Sequence, residues 1–83
     1  MKKYLVDLYL PAAGAHYDVY LPAGKMIGEA TGLLVKLAES LSDGSYKGSV
    51  SSVLINAEDG RIYDRNTTVY DAGIRNSARL ILV

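Results

Sequence analysis

Apolar and polar positions alternate along residues 3–10. Tyr4, Val6, Leu8 and Leu10 share one side, and Lys3, Leu5, Asp7 and Tyr9 share the other. A period of two over this length predicts a half-buried strand. Pro11-Ala12-Ala13-Gly14-Ala15 interrupts the pattern with turn residues. Alternation resumes over 16–21, with Tyr17, Val19 and Leu21 set against His16, Asp18 and Tyr20. The two runs read as a hairpin. Its register is open between Leu8 opposite Val19 and Leu8 opposite Tyr17. The second places Asp7 against Asp18, and like charges directly opposite destabilise a ladder, so the first is expected.

Pro22-Ala23-Gly24 is a turn, and from Lys25 or Met26 the period becomes helical. Ile27, Ala30, Leu34, Leu37 and Leu41, with Leu33 beside them, form one apolar stripe on a helix of about four turns. The helix is weak in isolation. Neither Gly24 nor Lys25 supplies a side-chain oxygen as N-cap, and Gly28 and Gly32 each cost about 1 kcal/mol relative to alanine. Packing of the stripe must therefore hold it. Ser42-Asp43-Gly44-Ser45 ends the helix, and a loop runs to about Ser51. Val53-Leu54-Ile55-Asn56 reads as a third strand. Glu58-Asp59-Gly60 is a tight turn into Arg61-Ile62-Tyr63, a short fourth strand. Thr67 to Ile74 reads as a helical turn capped by Thr and ended by Gly73. Ala78 to Val83 is the last strand. The order is β-β-α-β-β-(short helix)-β, an α+β fold with a mixed five-stranded sheet on one helix. One helix covers one face of such a sheet and leaves the other to solvent or a partner.

Composition narrows the function. The 83 residues, 49% of them apolar and 22% charged, make one globular domain spanning 1–83. Nine basic and nine acidic residues cancel, which argues against DNA, RNA or anionic lipid as a partner, since each needs a basic face. The absence of cysteine removes disulfides and thiolate chemistry and fits a reducing cytoplasm. Lys2 and Lys3 lead into an alternating run containing Asp7, unlike an export signal. No apolar segment approaches the roughly 20 residues of a membrane helix. Asn66-Thr67-Thr68 matches a glycosylation acceptor, but without an export signal it reads as a chance match. All seven aromatics are tyrosines, whose rings pack while their hydroxyls stay wet; they suit a core rim or a contact surface.

Covalent chemistry finds little support. His16 is the only histidine, beside Asp18, with no serine placed to be its nucleophile. One histidine, no cysteine and scattered carboxylates give no metal-ligand spacing. Gly24-Lys25 lacks the longer glycine loop of a phosphate cradle. No catalytic, cofactor-binding or metal-binding residue is expected, and the chain is not read as an enzyme.

With the element order in place, the chain resembles the ubiquitin superfamily, whose fold is the β-grasp. Thr68-Val69-Tyr70-Asp71-Ala72-Gly73-Ile74 running into Ala78-Arg79-Leu80-Ile81-Leu82-Val83 is similar to ubiquitin's threonine-hydrophobe-x-Asp-x-x-Ile segment and last strand. Leu21 to Ile27 matches the spacing from second strand to helix. Within the superfamily the closest resemblance is to the YukD/EsaB group of type VII (ESX-like) secretion. It is carried by chain size, by Val6-Asp7-Leu8, by Leu54-Ile55-Asn56 before a charged turn, and by Asp71-x-Gly73-Ile74. The resemblance implies a cytoplasmic, non-conjugated accessory or regulatory component with protein partners in the secretion machine, at the inner face of a membrane complex.

Conjugation and sulfur carriage need a C-terminal Gly-Gly tail, and Ile81-Leu82-Val83 shows none. A carrier is the alternative if the native chain continues past Val83 into Gly-Gly, and a homo-oligomeric scaffold is a second alternative. The expected contact surface is the open sheet face, with Leu5, Tyr9, Tyr20, Leu54, Ile81 and Val83 pointing away from the helix and resembling the apolar patch through which ubiquitin is recognised. Exposed apolar patches tend to mark interaction sites, although singly exposed apolar residues are ordinary. The outward helix face with Gly28, Gly32 and Lys36 is a weaker second surface, since two glycines four apart admit a close helix chiefly in membranes.

Overall fold

The computed structural model describes residues 2–83. Its elements are β1 (Lys3–Leu10), β2 (Ala15–Pro22), α1 (Ile27–Leu41), β3 (Leu54–Asn56) and β4 (Arg79–Leu82). The strands lie in the order β2-β1-β4-β3, with β1 and β4 parallel at the centre and antiparallel pairs outside them. Alternation sets the sides of the sheet. Tyr4, Val6, Leu8 and Leu10 of β1 and Leu80 and Leu82 of β4 are buried under α1, together with Val69 and Ile74 from the segment before β4.

The hairpin register differs from expectation. Val6 pairs with Val19, Leu8 with Tyr17, and Asp7 with Asp18. His16 relieves the repulsion: its imidazole Nδ1 stands 3.1 Å from the Asp7 carboxylate. Arg79 sits beside Asp7 in the β1–β4 register, with its guanidinium 4.0 Å from Glu58. The register also shortens the loop to Pro11–Gly14. Bonds from Ala13 N–H to the Leu10 carbonyl and from Gly14 N–H to the Pro11 carbonyl, both 3.1 Å, close that turn, and Gly14 has φ +60°.

The sheet has four strands where five were expected. Arg61-Ile62-Tyr63 forms only an isolated bridge, Ile62 to Ile55, flanked by bonds from Tyr63 N–H to the Leu54 carbonyl and from Asn56 N–H to the Arg61 carbonyl. The turn before it is tight as expected, with Gly60 at φ +75° and the Asp59 side chain accepting from Arg61 N–H. Thr67 to Ile74 is a single turn, not a helix. Thr68 Oγ1 accepts from Asp71 N–H at 3.0 Å, and Gly73 reverses the chain at φ +87°.

The helix lacks a side-chain cap, as its sequence implied. Its first amides are instead satisfied by a neighbouring loop: Ile27 N–H bonds the Thr67 carbonyl at 2.8 Å, and Gly28 N–H bonds the Arg65 carbonyl at 3.0 Å. A Cβ on Gly28 would stand 3.3 Å from that Arg65 oxygen, so the glycine serves an internal contact and is not free for a partner helix. The buried face comprises Ile27, Ala30, Thr31, Leu34 and Ala38. Leu33, Leu37 and Leu41 are about half exposed, which rotates the stripe from the one expected. The loop after α1 explains the rotation. Tyr46 is buried, bonded through its N–H to Ser42 Oγ and through its hydroxyl to Ser52 Oγ, and Gly48 packs directly on Val35. That loop covers one flank of the helix and leaves the leucines on the other.

This packing makes three substitutions informative. Gly48→Ala would press a methyl into both Val35 methyls, which have one strongly preferred rotamer in a helix, and denaturant unfolding should show a loss of about 1–3 kcal/mol. Gly32→Ala, with nothing within 4 Å of the new methyl, should instead gain about 1 kcal/mol from helix propensity. The Tyr4 hydroxyl is buried with no hydrogen-bond partner among the described residues. Tyr4→Phe should therefore raise stability by about 1 kcal/mol; a loss of that size would mean that the hydroxyl is satisfied.

Candidate protein-binding face

The face of the sheet turned away from α1 is organised in rows, because residues paired across strands share a side. One row runs His16, Tyr9, Ile81, Ile55, Ile62 through the pairs Tyr9–His16, Tyr9–Ile81, Ile55–Ile81 and Ile55–Ile62. A second row holds Asp18, Asp7 and Arg79. A third holds Tyr20 and Leu5. Val83 lies one step beyond Ile81 and exchanges two backbone bonds with Val53, at 3.0 and 3.2 Å.

Of the expected contact residues, Tyr9, Ile81 and Val83 belong to one contiguous strip. Leu5 and Tyr20 are exposed but lie across the charged row from it, with the Lys3 ammonium 4.7 Å above the Tyr20 ring. Leu54 does not belong to the face. It is 1% exposed and pairs with Leu82 on the helix side. Its place is taken by Ile55 and by Ile62, which is 58% exposed. Val53-Leu54-Ile55 is uniformly apolar, so nothing in the segment itself fixes which residue turns inward. The pairing of Leu54 with Leu82 was the usable signal, since Leu82 already had an assigned side.

On this face His16 stacks on Tyr9 with ring centroids 4.5 Å apart, and its Nδ1 meets Asp7, not the neighbouring Asp18. Tyr63 packs against the core instead, and burial, reinforced by Asp59, pushes its phenol above its ordinary range. Among the described residues no group of His, Cys, Asp and Glu converges as a metal site, and no helix is long and apolar enough to cross a membrane. The arrangement suits contact with another protein: an apolar strip of Tyr9, Ile81, Val83, Ile55 and Ile62, bounded along one side by fixed charges.

Solved structures share this architecture closely. The ubiquitin-like domain of EccD5 from Mycobacterium xenopi superposes with TM-score 0.82 at 17% identity, covering 100% of this chain and 94% of that one. A chain of the MycP5-free ESX-5 inner membrane complex gives 0.81 at 17% identity, covering 100% of this chain and 21% of that one. A chain of the toluene 4-monooxygenase HD complex with 4-bromobenzoate gives 0.78 at 10% identity, covering 99% and 98%. No protein-family model matches the sequence, and no curated protein sequence does either. At these identities the likeness establishes the fold, which is ubiquitin-like.

The side assigned to each residue can be checked by truncation. Leu54→Ala should cost about 2–5 kcal/mol, as a buried leucine does, and Ile62→Ala should stay within about 0.5 kcal/mol. The reverse order in thermal or denaturant unfolding would put the wrong residue on the surface.

Proposed function

We propose that this chain is a non-conjugated ubiquitin-like interaction module, an accessory or regulatory component of a bacterial type VII (ESX-like) secretion system of the YukD/EsaB kind. It acts in the cytoplasm, at the inner face of the membrane complex. The observation that carries the binding role is the outer strip of Tyr9, Ile81, Ile55, Ile62 and Val83, an apolar surface with a charged border and no catalytic group assembled on it. The secretion assignment draws support from the likeness to the EccD5 domain and to the ESX-5 chain, together with the sequence resemblance at Val6-Asp7-Leu8 and Asp71-x-Gly73-Ile74. The monooxygenase chain has the same fold, so the fold by itself does not choose the pathway.

The test is capture from native cells, with the secretion ATPase and membrane components as the expected partners. Ile55→Asp and Ile62→Asp should each weaken that capture about tenfold or more, because central apolar contacts dominate most interfaces. Leu5→Asp, across the charged row, should leave it within about threefold, as rim contacts do. Recovery of an adenylating enzyme, with the chain extending into Gly-Gly, would instead establish a carrier.

A further inference from the structure

The two edges of the sheet are unlike. Beyond β3, the Ile62 bridge and its two flanking bonds occupy the edge. Beyond β2 no strand follows among the described residues. The bond from Ala23 N–H to the Lys2 carbonyl continues the β1–β2 ladder. By alternation the backbone groups of Ala15, Tyr17, Val19 and Leu21 then point to β1, and those of His16, Asp18 and Tyr20 point to the open edge. Alongside that edge lies the uncovered flank of α1. Leu33, Leu37 and Leu41 recur at every fourth residue on it, opposite the flank occupied by Arg65 and Gly48. The Tyr17 hydroxyl reaches the Leu41 carbonyl at 3.4 Å, which fixes the row next to β2.

We infer that this edge is the interface with a second copy of the same chain. The two β2 strands pair antiparallel about a two-fold axis through Tyr17, at the His16 and Asp18 end of the outer rows, and this interface is independent of the secretion assignment. Side-chain pairing chooses the register. Centred on Tyr17, His16 faces Asp18 of the partner subunit and Asp18 faces the partner's His16, and these are the residues whose backbone groups are outward and unused. Centred on Asp18, two carboxylates would meet. Centred on Val19, His16 would face Pro22 of the partner subunit, which has no N–H to give. The formal net charge of zero removes long-range repulsion between copies. A two-fold axis perpendicular to the sheet places both helices on one side, so the two leucine rows flank a shared cleft floored by Tyr17 and the partner's Tyr17. An isologous contact of this kind closes on itself as a dimer.

Crosslinking tests the register directly, because the chain has no cysteine of its own. Tyr17 would meet the partner's Tyr17 in a non-hydrogen-bonded pair, with Cα atoms about 4.5 Å apart, within disulfide range. Tyr17→Cys should give mostly covalent dimer under mild oxidation while keeping its far-UV spectrum, and Val19→Cys should not. Crosslinking through Val19→Cys instead would overturn the register. His16→Asp should weaken dimerisation about tenfold or more, and combining it with Asp18→His should restore it, since the facing imidazole and carboxylate are then exchanged. In the unaltered chain the His16 and Asp18 amides should gain exchange protection with increasing concentration. A monomer at millimolar concentration by sedimentation overturns the inference, as does an edge protected only when an unrelated protein is bound.

Discussion

The start of α1 is held by backbone, and the rest of the structure depends on that clamp. A helix with no side-chain cap and two interior glycines has little reason to begin at Ile27 on its own account. The carbonyls of Arg65 and Thr67 take its first free amides, while Lys25 and Ala23 accept bonds from Val69 and Tyr70. One short loop thus ties together the end of β2, the start of the helix and the approach to β4. Val69 and Ile74, fully buried on either side of the turn, close that end of the core. Because β4 lies between β1 and β3, the place where this loop delivers it fixes the alignment of Tyr9, Ile81 and Ile55 on the opposite face. Internal packing and the outer surface are therefore set by the same few bonds.

How much was legible follows the physics of each segment. Period two identified both sides of β1, β2 and β4, because Lys3 and Asp7, His16 and Asp18, and Arg79 mark the outer side there. Leu54 had no such marks, and its side was decided by a pairing with Leu82 that spans the chain. The hairpin register turned on one pair of carboxylates judged alone; the His16 imidazole at 3.1 Å from Asp7 offsets the repulsion. The helical stripe was rotated by Tyr46 and Gly48, which carry no periodic signal and act through a loop that reads as plain polar sequence. Each miss is a case where a distant partner outweighed a local preference, as tertiary context routinely does.

Function is distributed in the same way. The ubiquitin-like fold occurs in secretion proteins and in a monooxygenase complex, so the reading for this chain rests on which surfaces are left unfilled. Two are. The outer strip is apolar, while the β2 edge offers, among the described residues, unpaired backbone beside exposed leucines. They adjoin at His16 and Asp18, the β2 ends of the first two rows.

The row of Asp18, Asp7 and Arg79 gives the outer face a grain. A uniformly greasy plane would accept a hydrophobic visitor at many offsets and orientations. In the binding role proposed above, a visitor displaced by one row would strip water from Asp18 and from the Asp7–His16 pair while supplying no polar partner, and desolvated charge short of hydrogen bonds is costly. In that role the row would be a kerb, adding little attraction and removing most wrong alignments. A docking chain would have to bring its own polar groups at the matching distance from its apolar ones, and the spacing between neighbouring strand rows would be the ruler by which the surface tells one visitor from another.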